Sequence, residues 1–294
     1  MLRWRLLLGT TIIAGLVLLC WLDYQAAIPG VWLMPVAVVL TVLATGEVLQ
    51  LVRAAGLQPP GWLVYAGNLL QIGVAWLASW AGNRSVGIPP PDGASWLLLA
   101  FTMMVLALFA VEIRRYEAPG GTIANLAGGV LATAYTGLLM GLLVQFRVAC
   151  GIGALAALVI VVKSGDIGAY TVGRLVGRHK LAPRLSPGKT IEGAFGALAA
   201  GCLAAWATFR WILPAVMPEG SSRLPWGAWL AFGLVVATAG ILGDLGESLL
   251  KRDVQRKDSS AWLPGFGGVL DIMDSILFAA PVAYGYWVVC ALGK

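Results

Sequence analysis

The residues best suited to chemistry lie in a short polar stretch near the end of a strongly apolar chain, residues 243–274. Asp244, Glu247, Ser248 and Lys251 recur there at steps of three and four residues, so they share one face of a helix. This helix continues the hydrophobic run of residues 229–241. A carboxylate such as that of Asp244, placed close to an apolar layer, needs a metal ion, a cation or a water-filled cavity as its partner.

A second hydrophobic helix brings further carboxylates to the same membrane boundary. It begins with Asp271 and Asp274, which again lie on one helical face. The loop between the two helices is cationic and carries Lys251, Arg252, Arg256 and Lys257. Carboxylates that face a cationic loop suit a divalent metal ion and a phosphorylated substrate, because oxygen ligands hold Mg²⁺ and phosphates complete its shell.

Another polar stretch, residues 163–190, carries many cations and leads into the next apolar run. Ser186 is expected to cap the following helix, with Pro187 at its first position. The exposed backbone N–H groups and the helix dipole, with Lys189 as a point charge, would then form an anion site. A P-loop is excluded, because Pro183 stands where that motif needs glycine and no strand is expected before it. The alternative is a loop whose cations only set membrane topology.

The composition is that of a membrane protein. Of 294 residues, 59% are hydrophobic and 12% are charged, whereas soluble domains carry roughly a quarter charged residues. The net charge of +6 does not indicate nucleic-acid binding, because no basic soluble domain is present to bind it. The four cysteines are scattered through apolar runs, which favours structural thiols over disulfides or a metal cluster.

Nine apolar runs are predicted to cross the bilayer, given about 20 residues per crossing. The first follows Arg3 and Arg5 and is expected to be retained, since no convincing signal-peptide cleavage site follows it. With a cytoplasmic N-terminus, fifteen of the 20 Lys and Arg residues fall on the inner side, as the positive-inside rule requires. The runs are residues 6–22, 31–52, 62–80, 95–113, 122–144, 149–162, 191–213, 226–250 and 269–292.

These observations predict an all-α, polytopic integral membrane protein without strands. We expect residues 1–120 to form the first four helices. Residues 121–294 should form a catalytic region with cytoplasmic loops at 163–190 and 251–268.

Taken together, the two polar stretches resemble the CDP-diacylglycerol synthase (phosphatidate cytidylyltransferase) family. The resemblance rests on Ser186-Pro187-Gly188-Lys189-Thr190-Ile191-Glu192-Gly193 and on many fixed positions in residues 243–275, and it covers roughly the C-terminal half. There are two departures. Phe266 stands where the family usually has histidine, and Ile272 where it usually has arginine. Either change could alter a contact with a substrate phosphate.

The resemblance implies a reaction of CTP with phosphatidate that gives CDP-diacylglycerol and pyrophosphate at the cytoplasmic face of a bacterial inner membrane. It implies Asp244, Asp271 and Asp274 as ligands of Mg²⁺, with a second, monovalent cation left open. Lys189 and Lys257 would neutralise triphosphate oxygens, and Arg252 a phosphate of either substrate. Further substrate contacts are expected from Ser186, Thr190, Ser248, Lys251 and Asp258. Membrane lipids surround the protein, nucleic acid is not a partner, and a homodimer is allowed.

Two other functions stay open. The first keeps CTP but changes the lipid, as in a polyprenol kinase or a transferase for another lipid phosphate. The second is a transporter or an inactive homologue, because intramembrane charges such as Asp166 and Asp244 also line ion pathways. The Pro- and Gly-rich loop between two charged helices favours an enzyme, since a permeation path does not need it.

Overall fold

The structure, a computed structural model, describes residues 2–81, 93–216, 225–260 and 267–290. Helices make up most of this part of the chain. Their bounds are α1 (Leu2–Gln25), α2 (Met34–Ala54), α3 (Gly61–Ala81), α4 (Gly93–Arg115), α5 (Thr122–Ala132), α6 (Leu139–Val176), α7 (Ile191–Ala207), α8 (Leu213–Val216), α9 (Trp226–Asp253) and α10 (Leu270–Val289). Two π-helical turns, Thr133–Leu138 and Thr208–Ile212, join α5 to α6 and α7 to α8.

Seven helical runs within the described residues are long and apolar enough to cross a membrane. They are Met34–Ala54, Gly61–Ala78, Gly93–Arg115, Thr122–Val176, Ile191–Val216, Trp226–Asp253 and Leu270–Val289. The all-α, polytopic class is therefore confirmed. Neither of the other two predicted spans is contradicted. Helix α1 has 24 residues, of which Gly9–Gln25 form a shorter apolar stretch, and Thr122–Val176 contains two helices that meet at a kink close to the predicted gap between residues 144 and 149. Gly151, with φ 88° and ψ 171°, interrupts the helical backbone inside that run.

The expectation that strands are absent is wrong in one place. Strand β1 (Lys180–Ala182) pairs antiparallel with strand β2 (Ser186–Thr190), with Lys180 opposite Thr190. Pro183 lies in the turn between them, where its fixed φ is favourable. Pro187 is tolerated within β2 because a two-stranded hairpin has a free edge that needs no N–H at every position.

The two predicted loops are shorter than expected. Helix α6 continues to Val176, so residues 163–176 are helical. Lys163 and Asp166 form an i,i+3 ion pair of 3.1 Å along that helix, and no proline interrupts it. Lys251 and Arg252 likewise lie in the last turn of α9. These stretches were expected to be loops because they are rich in charged residues. A helix that leaves the apolar layer can also carry charge on its exposed face.

Packing divides the chain into two compact units. The first comprises Met1–Ala149 and Asp258–Ile272, and the second comprises Cys150–Lys257 and Met273–Lys294. The boundary predicted after residue 120 rests on where the sequence motifs lie, and it stays a prediction about function. Within the second unit, α7 and α9 make an extensive helix contact, through small residues such as Gly201, Gly233 and Ala237. Small side chains allow such close approach where lipid supplies no hydrophobic driving force.

A buried ion pair holds the first unit together. Arg147 of α6 donates from Nε to Oδ2 of Asp23 at 2.8 Å, and from Nη2 at 2.5 Å. The same carboxylate accepts the backbone N–H groups of Gly30 and Trp32 at 3.2 and 3.1 Å. The side chains of Asp23 and Arg147 are 0% and 9% exposed. This pair therefore fixes the end of α1 and the chain that leads into α2 against α6.

Replacing Asp23 with alanine should lower the free energy of unfolding by about 3–5 kcal/mol, because the buried Arg147 would lose its counter-ion. The exposed pair Lys163–Asp166 provides the control, since Asp166→Ala should cost about 0–1 kcal/mol. Denaturant unfolding in detergent micelles measures both changes. Equal effects of the two substitutions would contradict the proposed role of Asp23.

Candidate active site

Two of the predicted site residues meet in the second unit. Lys189, near the end of β2, places its Nζ 2.5 Å from Oδ2 of Asp244 on α9. Their side chains are 23% and 40% exposed, so the pair is reachable from outside the helices. In the apolar surroundings of α9 the lysine compensates the carboxylate, as the cost of such a charge requires. Partial exposure leaves both groups accessible to a metal ion or a phosphate.

A third predicted residue, Asp274, lies beside this pair through close packing of α9 on α10. A Cβ atom on Gly243 would lie 2.6 Å from the backbone oxygen of Asp274, so only glycine permits this approach. The carboxylate of Asp274 is buried and accepts the backbone N–H and hydroxyl of Ser275 at 2.5 and 3.1 Å. The charge of Asp244 acts on it across the contact between the two helices. Asp274 and the Lys189–Asp244 pair therefore lie close together in the second unit.

The β-hairpin, and not a helix cap at Ser186, presents Lys189. Helix α7 begins one residue after Thr190, whose Oγ1 accepts the N–H of Gly193 at 3.1 Å. Thr190 is therefore the N-cap. The expected cap at Ser186 is wrong because Ser186 lies in β2, opposite Ala182 of β1.

Glu192 anchors the base of this hairpin. Its carboxylate accepts the backbone N–H groups of Arg178 and His179 at 3.1–3.3 Å. Nδ1 of His179 lies 2.6 Å from Oε1 of the same carboxylate. The first turn of α7 also favours an acid through the helix dipole. Glu192 thus fixes the base of the hairpin that carries Lys189.

The charged face predicted on α9 is formed as expected. Lys251 donates to Oε2 of the buried Glu247 at 2.6 Å, and Ser248 is buried beside it. Arg252 is exposed and donates from Nε to the backbone oxygen of Leu185 at 3.2 Å, which links the end of α9 to the hairpin turn. Glu247 therefore orients Lys251.

Asp271 belongs to the first unit, where residues from both sides of the loop between α9 and α10 donate hydrogen bonds to its carboxylate. Oδ2 of Asp271 accepts the backbone N–H of Ser259 at 3.1 Å, its hydroxyl at 2.6 Å, and the N–H of Gly268 at 2.7 Å. Lys257 and Asp258 precede this loop and are exposed. Ile272 follows Asp271 in the first turn of α10, whereas Phe266 lies outside the described residues. The pairing of Asp271 with Asp244 at one metal ion stays a prediction.

Sequence reasoning missed Glu47. It lies in α2, is 3% exposed, and accepts hydrogen bonds from the segment that follows α9. Its signal was present, because a carboxylate inside an apolar run is costly and marks a functional or structural role. The motif resemblance does not reach α2, so nothing in the sequence named its partners.

The donor set suits a magnesium ion that is shared with a substrate. Among the described residues, no three Asp, Glu, His or Cys side chains form a metal-binding group. Mg²⁺ does not need such a cage, because it commonly binds one or two carboxylates and completes its octahedron with water and substrate phosphates. Asp244 and Asp274 have carboxylates that could supply hard oxygen ligands of this kind, and Lys189 lies beside Asp244.

The sequence is similar to a known protein family and to several named relatives. A model described as the cytidylyltransferase family matches residues 5–290. The phosphatidate cytidylyltransferase of Mycobacterium leprae is 33% identical over 87% of this chain and 79% of that protein. The protein of the same name from Mycobacterium bovis is 33% identical over 99% of this chain and 89% of its own length. That of Synechocystis is 39% identical over 44% of this chain and 41% of its own.

Substituting alanine for Gly243 should force α9 away from α10, because the added Cβ would meet the backbone of Asp274. We expect a loss of about 1–3 kcal/mol in the free energy of unfolding, as for other overpacked sites. Gly227→Ala is the matched control in the same helix, since its Cβ would meet nothing within 4 Å. That control should be neutral or stabilising by up to about 1 kcal/mol. Denaturation monitored by tryptophan fluorescence measures the free energy of unfolding of both variants. Equal values for Gly243→Ala and Gly227→Ala would rule out the tight contact at Gly243.

Proposed function

The chain belongs to the cytidylyltransferase family and is a nucleotidyltransferase, and from this premise we propose that it makes CDP-diacylglycerol from CTP and phosphatidate. The names of the relatives support this choice of lipid. The observation that carries the proposal is the Lys189–Asp244 ion pair beside Asp274. A lysine and two carboxylates at one place are what a metal-bound triphosphate requires.

In the proposed reaction, a phosphate oxygen of phosphatidate attacks the α-phosphorus of CTP. A new P–O bond forms as the bond from the α-phosphorus to the bridging oxygen breaks, and its electron pair leaves with pyrophosphate. The phosphate dianion is already nucleophilic, so no general base is required. Such transfer depends on positioning and on neutralising charge more than on a covalent intermediate.

Each site residue has a part in this scheme. Lys189 would leave Asp244 for the triphosphate, and Lys257 would neutralise a further oxygen. Arg252, anchored on the hairpin turn, would contact a phosphate of either substrate. Asp244 and Asp274, with Asp271, would hold Mg²⁺, which when bound neutralises phosphate charge. Further contacts with the substrates are proposed for Ser186, Thr190, Ser248, Lys251 and Asp258.

The protein is an integral membrane protein, and we propose that the site faces the cytoplasm of the bacterial inner membrane. The excess of Lys and Arg on the polar segments around residues 177–190 and 251–257 supports this orientation. CTP is present on that side, and the acyl chains of the lipid can stay between helices. A homodimer and a second, monovalent cation stay predictions from the family resemblance.

The purified protein should transfer CMP from α-labelled CTP to phosphatidate in mixed micelles, and only when Mg²⁺ is supplied. The label should enter the lipid with release of pyrophosphate, and EDTA should abolish the reaction. Label from γ-labelled CTP in a polyprenol would instead identify a lipid kinase. If neither phosphatidate nor a polyprenol becomes labelled, and the protein conducts ions in liposomes, the enzymatic proposal is refuted.

Replacing Asp244 with asparagine should lower kcat at least about a hundredfold, comparable to losing a preorganised electrostatic group. The amide cannot balance Lys189 or hold a divalent ion as a carboxylate does. Asp253→Asn, at the exposed end of the same helix, is the matched control and should keep its turnover. Initial rates at saturating CTP and Mg²⁺ measure the effect. Turnover of Asp244→Asn close to that of the control would remove Asp244 from the site.

A further inference from the structure

Glu47 makes four hydrogen bonds with a segment more than two hundred residues away. Oε1 accepts the hydroxyl of Ser260 at 2.6 Å and the N–H of Val269 at 2.9 Å. Oε2 accepts the hydroxyl of Ser259 at 2.9 Å and the N–H of Leu270 at 2.8 Å. All of these residues lie in the first compact unit. One carboxylate on α2 therefore holds both ends of the segment that precedes α10.

This carboxylate also caps a helix from outside. Val269 and Leu270 supply N–H groups at the start of α10 that have no partner within the helix. No ion pair among the described residues includes Glu47, so its charge is balanced by these donors and by the helix dipole. A charged carboxylate 3% exposed is retained only at such a density of hydrogen bonds.

The glycines of the loop are required by this arrangement. Gly267 has φ 86°, in the left-handed region that favours glycine. A Cβ atom on Gly268 would overlap the hydroxyl of Ser259 and the carboxylate of Glu47. The Gly-Gly pair therefore allows the backbone to pass close to Glu47 and then turn into α10.

Ser259 connects Glu47 to Asp271. Its Oγ lies 2.9 Å from Oε2 of Glu47 and 2.6 Å from Oδ2 of Asp271. A hydroxyl has one proton, so Ser259 can donate to only one of these carboxylates at a time. The charge on Glu47 thus affects the hydrogen bond that orients Asp271.

We propose that Glu47 is a positioning residue for the reaction, which fixes Ser259 and the start of α10 so that the carboxylate of Asp271 is held ready for its ligand. This inference rests on the proposed function, because it assigns Asp271 to the site. Groups that orient metal-binding carboxylates typically change metal affinity or activity by 10- to 100-fold when they are altered. A residue on α2 would then contribute to activity by orienting Asp271, and not by contacting the substrate.

The test compares Glu47→Gln with Glu112→Gln in the full-length protein. Glu112 is also buried in the first unit, on α4, and pairs with Arg115 at 3.5 Å. An amide at position 47 must turn its NH₂ towards backbone N–H donors, so it cannot keep all four hydrogen bonds. We expect the amides of Ser259, Gly268 and Leu270 to lose protection from hydrogen exchange in Glu47→Gln, with no such loss in Glu112→Gln.

The same variants are assayed with CTP, phosphatidate and a series of Mg²⁺ concentrations. Glu47→Gln should lower kcat roughly 10- to 100-fold and raise the Mg²⁺ concentration needed for half-maximal rate, as expected of an outer-shell group. Ser259→Ala should raise that concentration too. Ser260→Ala, which removes a hydroxyl donor to Oε1 of Glu47 and leaves Ser259 in place, should raise it less.

The outcomes separate the two proposals. Unchanged exchange in Glu47→Gln, or faster exchange with unchanged kcat and Mg²⁺ dependence, overturns the positioning role. If Glu47→Gln and Glu112→Gln lose exchange protection and kcat to the same extent, the positioning role is also overturned, because the effect would then be general destabilisation. A wild-type protein that makes no lipid product refutes the proposed reaction and with it the catalytic part of this inference. Hydrogen exchange still decides whether Glu47 holds the loop.

Discussion

Carboxylates that lie among apolar helices constrain this protein more than any other feature, because each must have a cation or several donors within reach. Three of them meet a cation, in the pairs Asp23–Arg147, Asp244–Lys189 and Glu247–Lys251. Glu47 meets hydroxyl and backbone donors instead. Two of these four partnerships join elements separated by more than a hundred residues. The requirement to satisfy buried charge therefore specifies much of the tertiary structure.

Rigid elements carry the candidate site. Lys189 is held by a hairpin that Glu192 and Arg252 fix at its base and its turn. Asp244 and Asp274 come from two helices whose separation is set by the missing side chain of Gly243. Because the helices cannot approach closer or move apart without cost, the two carboxylates keep their places before any ligand arrives. Such preorganisation is how electrostatic sites act on charged substrates.

Several parts of this arrangement could be predicted from local pattern. The face of α9 that carries Glu247 and Lys251 follows from their four-residue spacing alone, and the membrane class follows from composition. The hairpin could not be predicted in this way, because Ser186 and Pro187 are also good residues for a helix start. The continuation of α6 to Val176 does not follow from local pattern, because charged residues occur both in loops and on the exposed face of a helix.

The sequence by itself determined that the protein is a bundle of apolar helices, that its charged residues gather near the end of the chain, and that their order resembles a known family. These properties depend on composition and spacing, which are local. Only the tertiary structure decided that Lys189 pairs with Asp244 and that Glu47 caps α10. Each of these contacts depends on how distant segments pack, and the energy of a buried charge does not indicate which donor will satisfy it.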